Sequence, residues 1–229
     1  MALEPIALEA ILLECRNDPR PRRLLSLGYP DVLAPQGYFD HIPERKDATA
    51  IRGWHQWAGR VPDTDALFKS LNIEPVYVDI SRARGPERIE DLNTLESDSD
   101  KFDIILDPGT TEHIFNIGNV FTFIAKSCKL GGLIIHTNPL NMANHGFWSL
   151  NPTAYWDWYT TNGFRFETMK QLSGPVANRI VTNLNSATGR FEARPNSTMF
   201  AVVRKEIDAV LRWPTQTKYR MNPNLKVVA

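Results

Sequence analysis

The chain has 229 residues, enough for one substantial α/β domain or that domain with a small appendage. Its 26 basic residues equal its 26 acidic ones, which excludes the basic excess of an ordinary nucleic-acid binder. Cys15 and Cys128 are too few and too far apart for a disulfide framework or a zinc site, so a cytoplasmic location is expected.

The first segment carries Leu3, Ile6, Ala7, Ile11 and Leu12 at helical spacing. Glu4, Glu9 and Glu14 interrupt it, so it is read as a helix and not as a secretion signal. No stretch reaches the length of a membrane span. Arg23–Leu27 is a short apolar strand ending at Gly28-Tyr29-Pro30. Residues 34–62 are polar, aromatic and broken by proline and glycine, which predicts a long loop or lid. Asp63 to Leu71 is a helix with Leu67, Phe68 and Leu71 on one face. Strands are expected at Val76–Asp79 and Arg88–Leu92, and then at Phe102–Asp107. A helix over 117–129 turns at Leu130-Gly131-Gly132 into the strand Leu133–Thr137. A second helix over 152–162 stops at Gly163, and strands follow at Phe164–Leu172 and Met199–Val203. Alternating strands and helices argue for an α/β, doubly wound, mostly parallel sheet, with the late strands open to an antiparallel arrangement. The expected organisation is one domain over 1–204 and a basic C-terminal tail over 205–229.

Neither the dinucleotide fingerprint G-x-G-x-x-G nor the phosphate loop G-x-x-x-x-G-K-[ST] is present. What stands out is Phe102–Thr111 (FDIILDPGTT) continued by Glu112-His113-Ile114-Phe115-Asn116. There an aliphatic run ends in acid, base and hydroxyl groups, where open α/β sheets bind their ligands. The order is strand-glycine, strand-Asp79, short strand-Asp91, strand-Asp107 with Glu112-His113, helix, Lys-x-Gly-Gly and strand. It resembles class I S-adenosylmethionine-dependent methyltransferases. Asp91-Leu92-Asn93, the run 107–116 and Asn144-His145-Gly146-Phe147-Trp148-Ser149-Leu150-Asn151-Pro152 are similar to small bacterial methyltransferase-domain proteins of surface-polysaccharide biosynthesis. The glycine-rich first loop of that family is reduced here to Gly28 followed by Tyr29 and Pro30.

The resemblance implies that the sheet is Rossmann-like. It also implies S-adenosylmethionine as cofactor, with Gly28 allowing close backbone approach, Asp79 on the ribose hydroxyls and Asp91 on the adenine amino group. Asp107 and Glu112 join this cofactor set. Asp79 and Asp91 equally suit plain turns, and Asp107 suits an N-cap. Methyl transfer to a hydroxyl is helped by a base, and histidine is the natural one. Of five histidines, His113 and His145 are the catalytic candidates, His136 lies in an apolar run and is read as core, and His41 and His55 lie in the long loop. Glu112-His113 with Asp107 or Asp103 offers metal-ligand types, but no H-E-x-x-H spacing exists and no metal is assigned.

Tyr155, Trp158 and Tyr159 share one helical face and are read as core, whereas Phe147 and Trp148 lie in a glycine- and asparagine-rich loop. Sugar rings pack their C–H faces on such aromatics, so a sugar or glycan acceptor is expected. Arg45, Lys46, Arg52 and Arg60 in the long loop, beside Tyr38, Phe39, Trp54 and Trp57, would suit a sugar phosphate. The tail's Arg204, Lys205, Arg212, Lys218, Arg220 and Lys226 offer a docking surface, or are merely solvated. The leading expectation is an O-methyltransferase. An inactive methyltransferase-like binding module and a nucleotide-dependent dehydrogenase are the alternatives.

Overall fold

The computed structural model describes residues 1–33, 51–53, 60–97, 101–184 and 189–224. Most of the expected long loop, with His41, His55 and the aromatic residues Tyr38, Phe39, Trp54 and Trp57, therefore lies outside the described residues.

Strand β1 (Ala2–Leu3) leads into α1 (Pro5–Asn17), which opens with proline in its first turn and buries Ala7, Leu8, Ile11 and Leu12. Then come β2 (Arg22–Leu27), β3 (Asp31–Val32), and the antiparallel pair β4 (Ile51–Gly53) and β5 (Arg60–Pro62), so the expected loop contains a short ribbon. Helix α2 (Thr64–Ser70) is capped by Asp63, whose Oδ1 accepts from Ala66 N at 3.0 Å. Strands β6 (Ile73–Asp79), β7 (Arg88–Ile89) and β8 (Phe102–Asp107) follow, then a 3-10 turn at Thr111–His113 and α3 (Ile117–Ser127). The rest is β9 (Cys128–Asn141), α4 (Pro152–Thr161), β10 (Phe164–Ser173), β11 (Ile180–Asn183), β12 (Ser197–Lys205) and the short α5 (Thr217–Arg220).

Among the described residues, eight strands form one sheet in the order β11-β10-β12-β9-β8-β2-β6-β7. From β7 across to β9 all neighbours are parallel, while β12 runs against both β9 and β10, and β11 against β10. Buried aliphatic runs such as Leu24-Leu25, Ile104-Ile105-Leu106 and Ile134-Ile135 give the central strands two hidden faces. One face packs on α1 and α2 through Leu8, Ile11, Leu67 and Phe68. The other packs on α3 and α4 through Val120, Ile124, Tyr155 and Tyr159. The fold is thus an α/β, Rossmann-like, doubly wound mixed sheet.

One expectation needs correcting. The Leu130-Gly131-Gly132 turn is absorbed into β9: Phe102 pairs with Cys128 but Ile104 with Leu133, so residues 129–132 bulge from the ladder, with Gly131 at φ 77°. The described part of the C-terminal segment is largely exposed but is tied to the domain at several points. Lys205 is buried and donates to the carbonyls of Ala125 (3.3 Å) and Cys128 (3.1 Å), and Arg204 pairs with Glu14 and Glu167. Further on, Trp213 packs on Trp158 and the Thr217 hydroxyl donates to Asp157. No helix among the described residues is long and apolar enough to cross a membrane.

Candidate functional site

The chain leaves β2 for β6 on one side and later crosses to β8 on the other, so the strand order reverses beside β2. A crevice at the carboxyl ends of the strands is expected at that point. A cavity of about 760 Å³ lies there, lined by Tyr29, Asp79, Asp91, Pro108, Gly109, Thr110, Glu112, His113, Thr137 and His145 among others.

Its first wall is made of turns. Gly28 follows β2 at φ 82°, a left-handed conformation that disfavours any side chain, and its N–H donates to Val78 O at 2.6 Å. A Cβ there would run into the Met1 side chain and stand 3.1 Å from Asp79 Oδ2. Asp79 Oδ1 accepts from Ser81 N at 3.0 Å, which fixes the carboxylate as a turn cap while Oδ2 faces the bare glycine. Asp91 is exposed, and its Oδ1 accepts from Asn93 N (2.9 Å) and Asn93 Nδ2 (2.8 Å); these bonds hold its carboxyl below the usual aspartate value. Both acids are therefore turn residues and cavity residues together. A carboxylate oxygen beside a glycine suits a ribose diol, and an exposed carboxylate farther out suits an amino group. The donor set fits S-adenosylmethionine.

The opposite wall is built differently. Asp107, expected at the cofactor, is fully buried beneath the cavity and does not line it. It caps the 3-10 turn, accepting from Thr110 N (3.1 Å) and Thr111 N (3.2 Å), and it binds Thr111 Oγ1 (2.6 Å), His136 Nδ1 (2.8 Å) and Asn138 Nδ2 (2.9 Å). Complete burial works to raise its pKa, but the bonds from His136, Thr111 and Asn138 hold it lowered. His136 is core, as its apolar run suggests, and its Nε2 meets Tyr159 OH at 2.6 Å.

Above this network, Asn138 Nδ2 also donates to Glu112 Oε2 (2.9 Å), and Tyr155 OH donates to Asn138 Oδ1 (2.6 Å). Glu112 is only 1% exposed, and burial, then the charge on Asp107, push its carboxyl up to about 7. Its Oε1 lies 3.6 Å from His145 Nε2 and 3.9 Å from His113 Nε2, so Glu112 lines the cavity beside the two histidines. The two half-exposed imidazole rings are 5.3 Å apart, and burial, followed by the neighbouring His145, lowers the His113 pKa.

The loop carrying His145 is fixed onto Glu112 by its backbone. Phe147 N donates to Glu112 O at 2.9 Å, and a Cβ at Gly146 would stand 2.7 Å from that oxygen. Beside the cluster, Phe115, Phe147 and Trp148 form an exposed aromatic group, with Phe115 against Phe147 at 5.6 Å and against Trp148 at 6.1 Å. Sequence reasoning missed Asn138, which supports Glu112 from mid-strand, and Phe115, which completes the aromatic group. Gly146 was the available signal, because a glycine between His145 and Phe147 marks a close backbone approach.

No protein-family profile matches the chain, and no curated protein matches it. Among solved structures, it is similar to an O-methyltransferase of a trans-AT polyketide synthase from Brevibacillus brevis in complex with S-adenosyl-L-homocysteine. That match has 13% identity and TM-score 0.45 over 71% of this chain and 53% of that one, so the chain spans about half of it. It is also similar to the 1,6-didemethyltoxoflavin-N1-methyltransferase of Burkholderia thailandensis with its substrate and S-adenosylhomocysteine bound, at 13% identity and TM-score 0.47 over 86% and 76% of the two chains. A third is the N-methyltransferase NodS of Bradyrhizobium japonicum with S-adenosyl-L-homocysteine, at 12% identity and TM-score 0.44 over 88% of each chain.

Proposed function

We propose that this chain is an S-adenosylmethionine-dependent O-methyltransferase acting on a sugar, glycan or sugar-phosphate acceptor, in the cytoplasm and in surface-polysaccharide synthesis. The observation that carries the reading is one cavity, at the strand-order reversal, with turn carboxylates on one wall and a Glu-His-His cluster on the other.

When bound, S-adenosylmethionine supplies a methyl carbon to an attacking oxygen lone pair as the C–S bond breaks, leaving that electron pair on sulfur. Gly28 gives the cofactor backbone access once the Met1 side chain packed over it moves aside, Asp79 takes the ribose hydroxyls and Asp91 the adenine amino group. Holding acceptor and cofactor in line supplies most of the rate. His113 takes the proton that leaves the acceptor hydroxyl, and Glu112 Oε1, 3.9 Å away, stabilises the imidazolium. His145 orients the acceptor, whose ring packs on the exposed Phe115, Phe147 and Trp148. The aromatic group supports a sugar acceptor, as does the motif resemblance over 144–152.

The test is calorimetry with S-adenosylhomocysteine, followed by transfer of labelled methyl from S-adenosylmethionine to a panel of sugars, sugar phosphates and nucleotide sugars. Submillimolar binding and labelled acceptor are expected. Binding without transfer to any acceptor favours an inactive binding module. Tight nicotinamide cofactor binding without S-adenosylhomocysteine binding favours a dehydrogenase.

A further inference from the structure

We propose that Glu112, His113 and His145 form a binding site for one divalent transition-metal ion, with open coordination positions facing the cavity. Each offers one ligand atom, and the three atoms lie within 4.8 Å of one another. Ligands around a zinc-sized ion sit at about 2.0–2.2 Å from it, hence roughly 3.3–3.6 Å apart in a tetrahedron. His145 Nε2 to Glu112 Oε1 is already 3.6 Å and His113 Nε2 to the same oxygen 3.9 Å. Closing the third pair, which lies within 4.8 Å, takes rotation of two half-exposed rings.

The sequence supplied the Glu-His pair but pointed to Asp107 or Asp103 for a third ligand. Asp107 is sealed below with His136, and Asp103 binds Arg20 and Lys129 instead. The third ligand comes from the loop after β9, which the Phe147 and Trp148 N–H groups, both donating to Glu112 O, bring over the turn.

Two further observations point the same way. Glu112 is a buried carboxylate, and among the described residues no lysine or arginine pairs with it. Apart from the Met1 ammonium, which acts on it electrostatically, no cationic group among the described residues offsets the cost of its charged form, and a bound ion would do so. Its Oε2 is held by Asn138, itself held by Tyr155, leaving Oε1 aimed at the histidines. Such outer-shell support is what orients metal-binding carboxylates. Two imidazoles and one carboxylate favour zinc, iron, cobalt or nickel over magnesium.

For its role, the site rests on the methyltransferase reading. With the ion bound, His113 and His145 would act as ligands in place of their base and orienting roles. The ion would bind the acceptor hydroxyl at an open position and lower its pKa, the proton passing to water before the oxygen attacks the methyl. Binding of the ion does not rest on that reading. The test is therefore cobalt(II) added to chelator-stripped full-length protein without any cofactor, followed by visible absorption and by competition with a chromogenic chelator. One equivalent with ligand-field bands is expected. His113→Ala and His145→Ala should each weaken binding by at least about 10–100-fold, the loss that even an outer-shell partner causes. Both histidines are half exposed, so folding should survive, and far-ultraviolet circular dichroism checks it. Absence of bands from folded protein overturns the site, as does affinity unchanged in both variants. Cobalt binding without S-adenosylhomocysteine binding keeps the metal site and removes the methyltransferase reading; the reverse result does the opposite.

Discussion

The two walls of the cavity are held by different kinds of bond. On the first, Asp79 is fixed by Ser81 and Asp91 by Asn93, each two residues along the chain. On the second, Glu112 depends on Asn138 and Tyr155, and its partner His145 arrives from beyond β9. Local turns hold a partly buried acid and an exposed one in place with few bonds and leave both open to a ligand. A buried carboxylate needs a network that spans elements, because each unsatisfied polar group in the interior costs free energy. The first wall should therefore lose either of its turn acids without harm to the fold, whereas the base of the second should not lose its carboxylate so freely.

The sharpest way to break that contrast is at the reacting end. His113→Ala should lower turnover by about 10²–10⁴-fold with S-adenosylhomocysteine affinity unchanged, since it faces the acceptor side. Near-wild-type turnover would remove His113 from the chemistry. Beneath it, Asp107→Ala should destabilise the fold by about 3–5 kcal/mol in denaturant titrations, because it strips a buried histidine and Asn138 of their partner. A loss under about 1 kcal/mol would mean that the network is not what holds the wall.

The first wall predicts the opposite pattern. Asp79→Ala should weaken S-adenosylhomocysteine binding by about 1.5–3 kcal/mol while denaturation is nearly unchanged. Equal losses in both measurements would erase the distinction between the walls. Gly28→Val behaves differently, since φ 82° strains any branched residue there: it should cost about 1–3 kcal/mol of stability together with the cofactor.

What was legible in the sequence follows the same division. Period, caps and aliphatic runs located the strands Arg22–Leu27 and Phe102–Asp107 and the helices at Pro5–Asn17, Ile117–Ser127 and Pro152–Thr161, because those signals are local. Acids ending strands located the cavity edge for the same reason. The burial of Asp107 was not legible, since its partners His136 and Asn138 lie 29 and 31 residues away. Nor was the meeting of Glu112 with His145, which depends on a loop folding back across the sheet edge. The short strands β1, β3 and β11 carry too few residues for a period to register.

Several side chains join the walls, among them Thr110, Asn116 and Asn119, and Asn116 gives the smallest predicted effect. Asn116 caps α3, its side chain accepting from Asn119 N at 3.3 Å. It also donates through its own N–H to Asn93 Oδ1 at 3.0 Å, and through Nδ2 to Asn93 O at 2.9 Å. It thus ties the Asp91-Leu92-Asn93 turn to the segment carrying Glu112 and His113. Asn116→Ala removes the cap and one of the two ties, since the backbone N–H remains, and should cost about 1 kcal/mol in denaturant titrations. A small loss of S-adenosylhomocysteine affinity should accompany a small loss of turnover, because both walls lean on this side chain. A stability loss that leaves binding and turnover untouched would show that Asn116 serves only its helix, and that the walls stand without this tie.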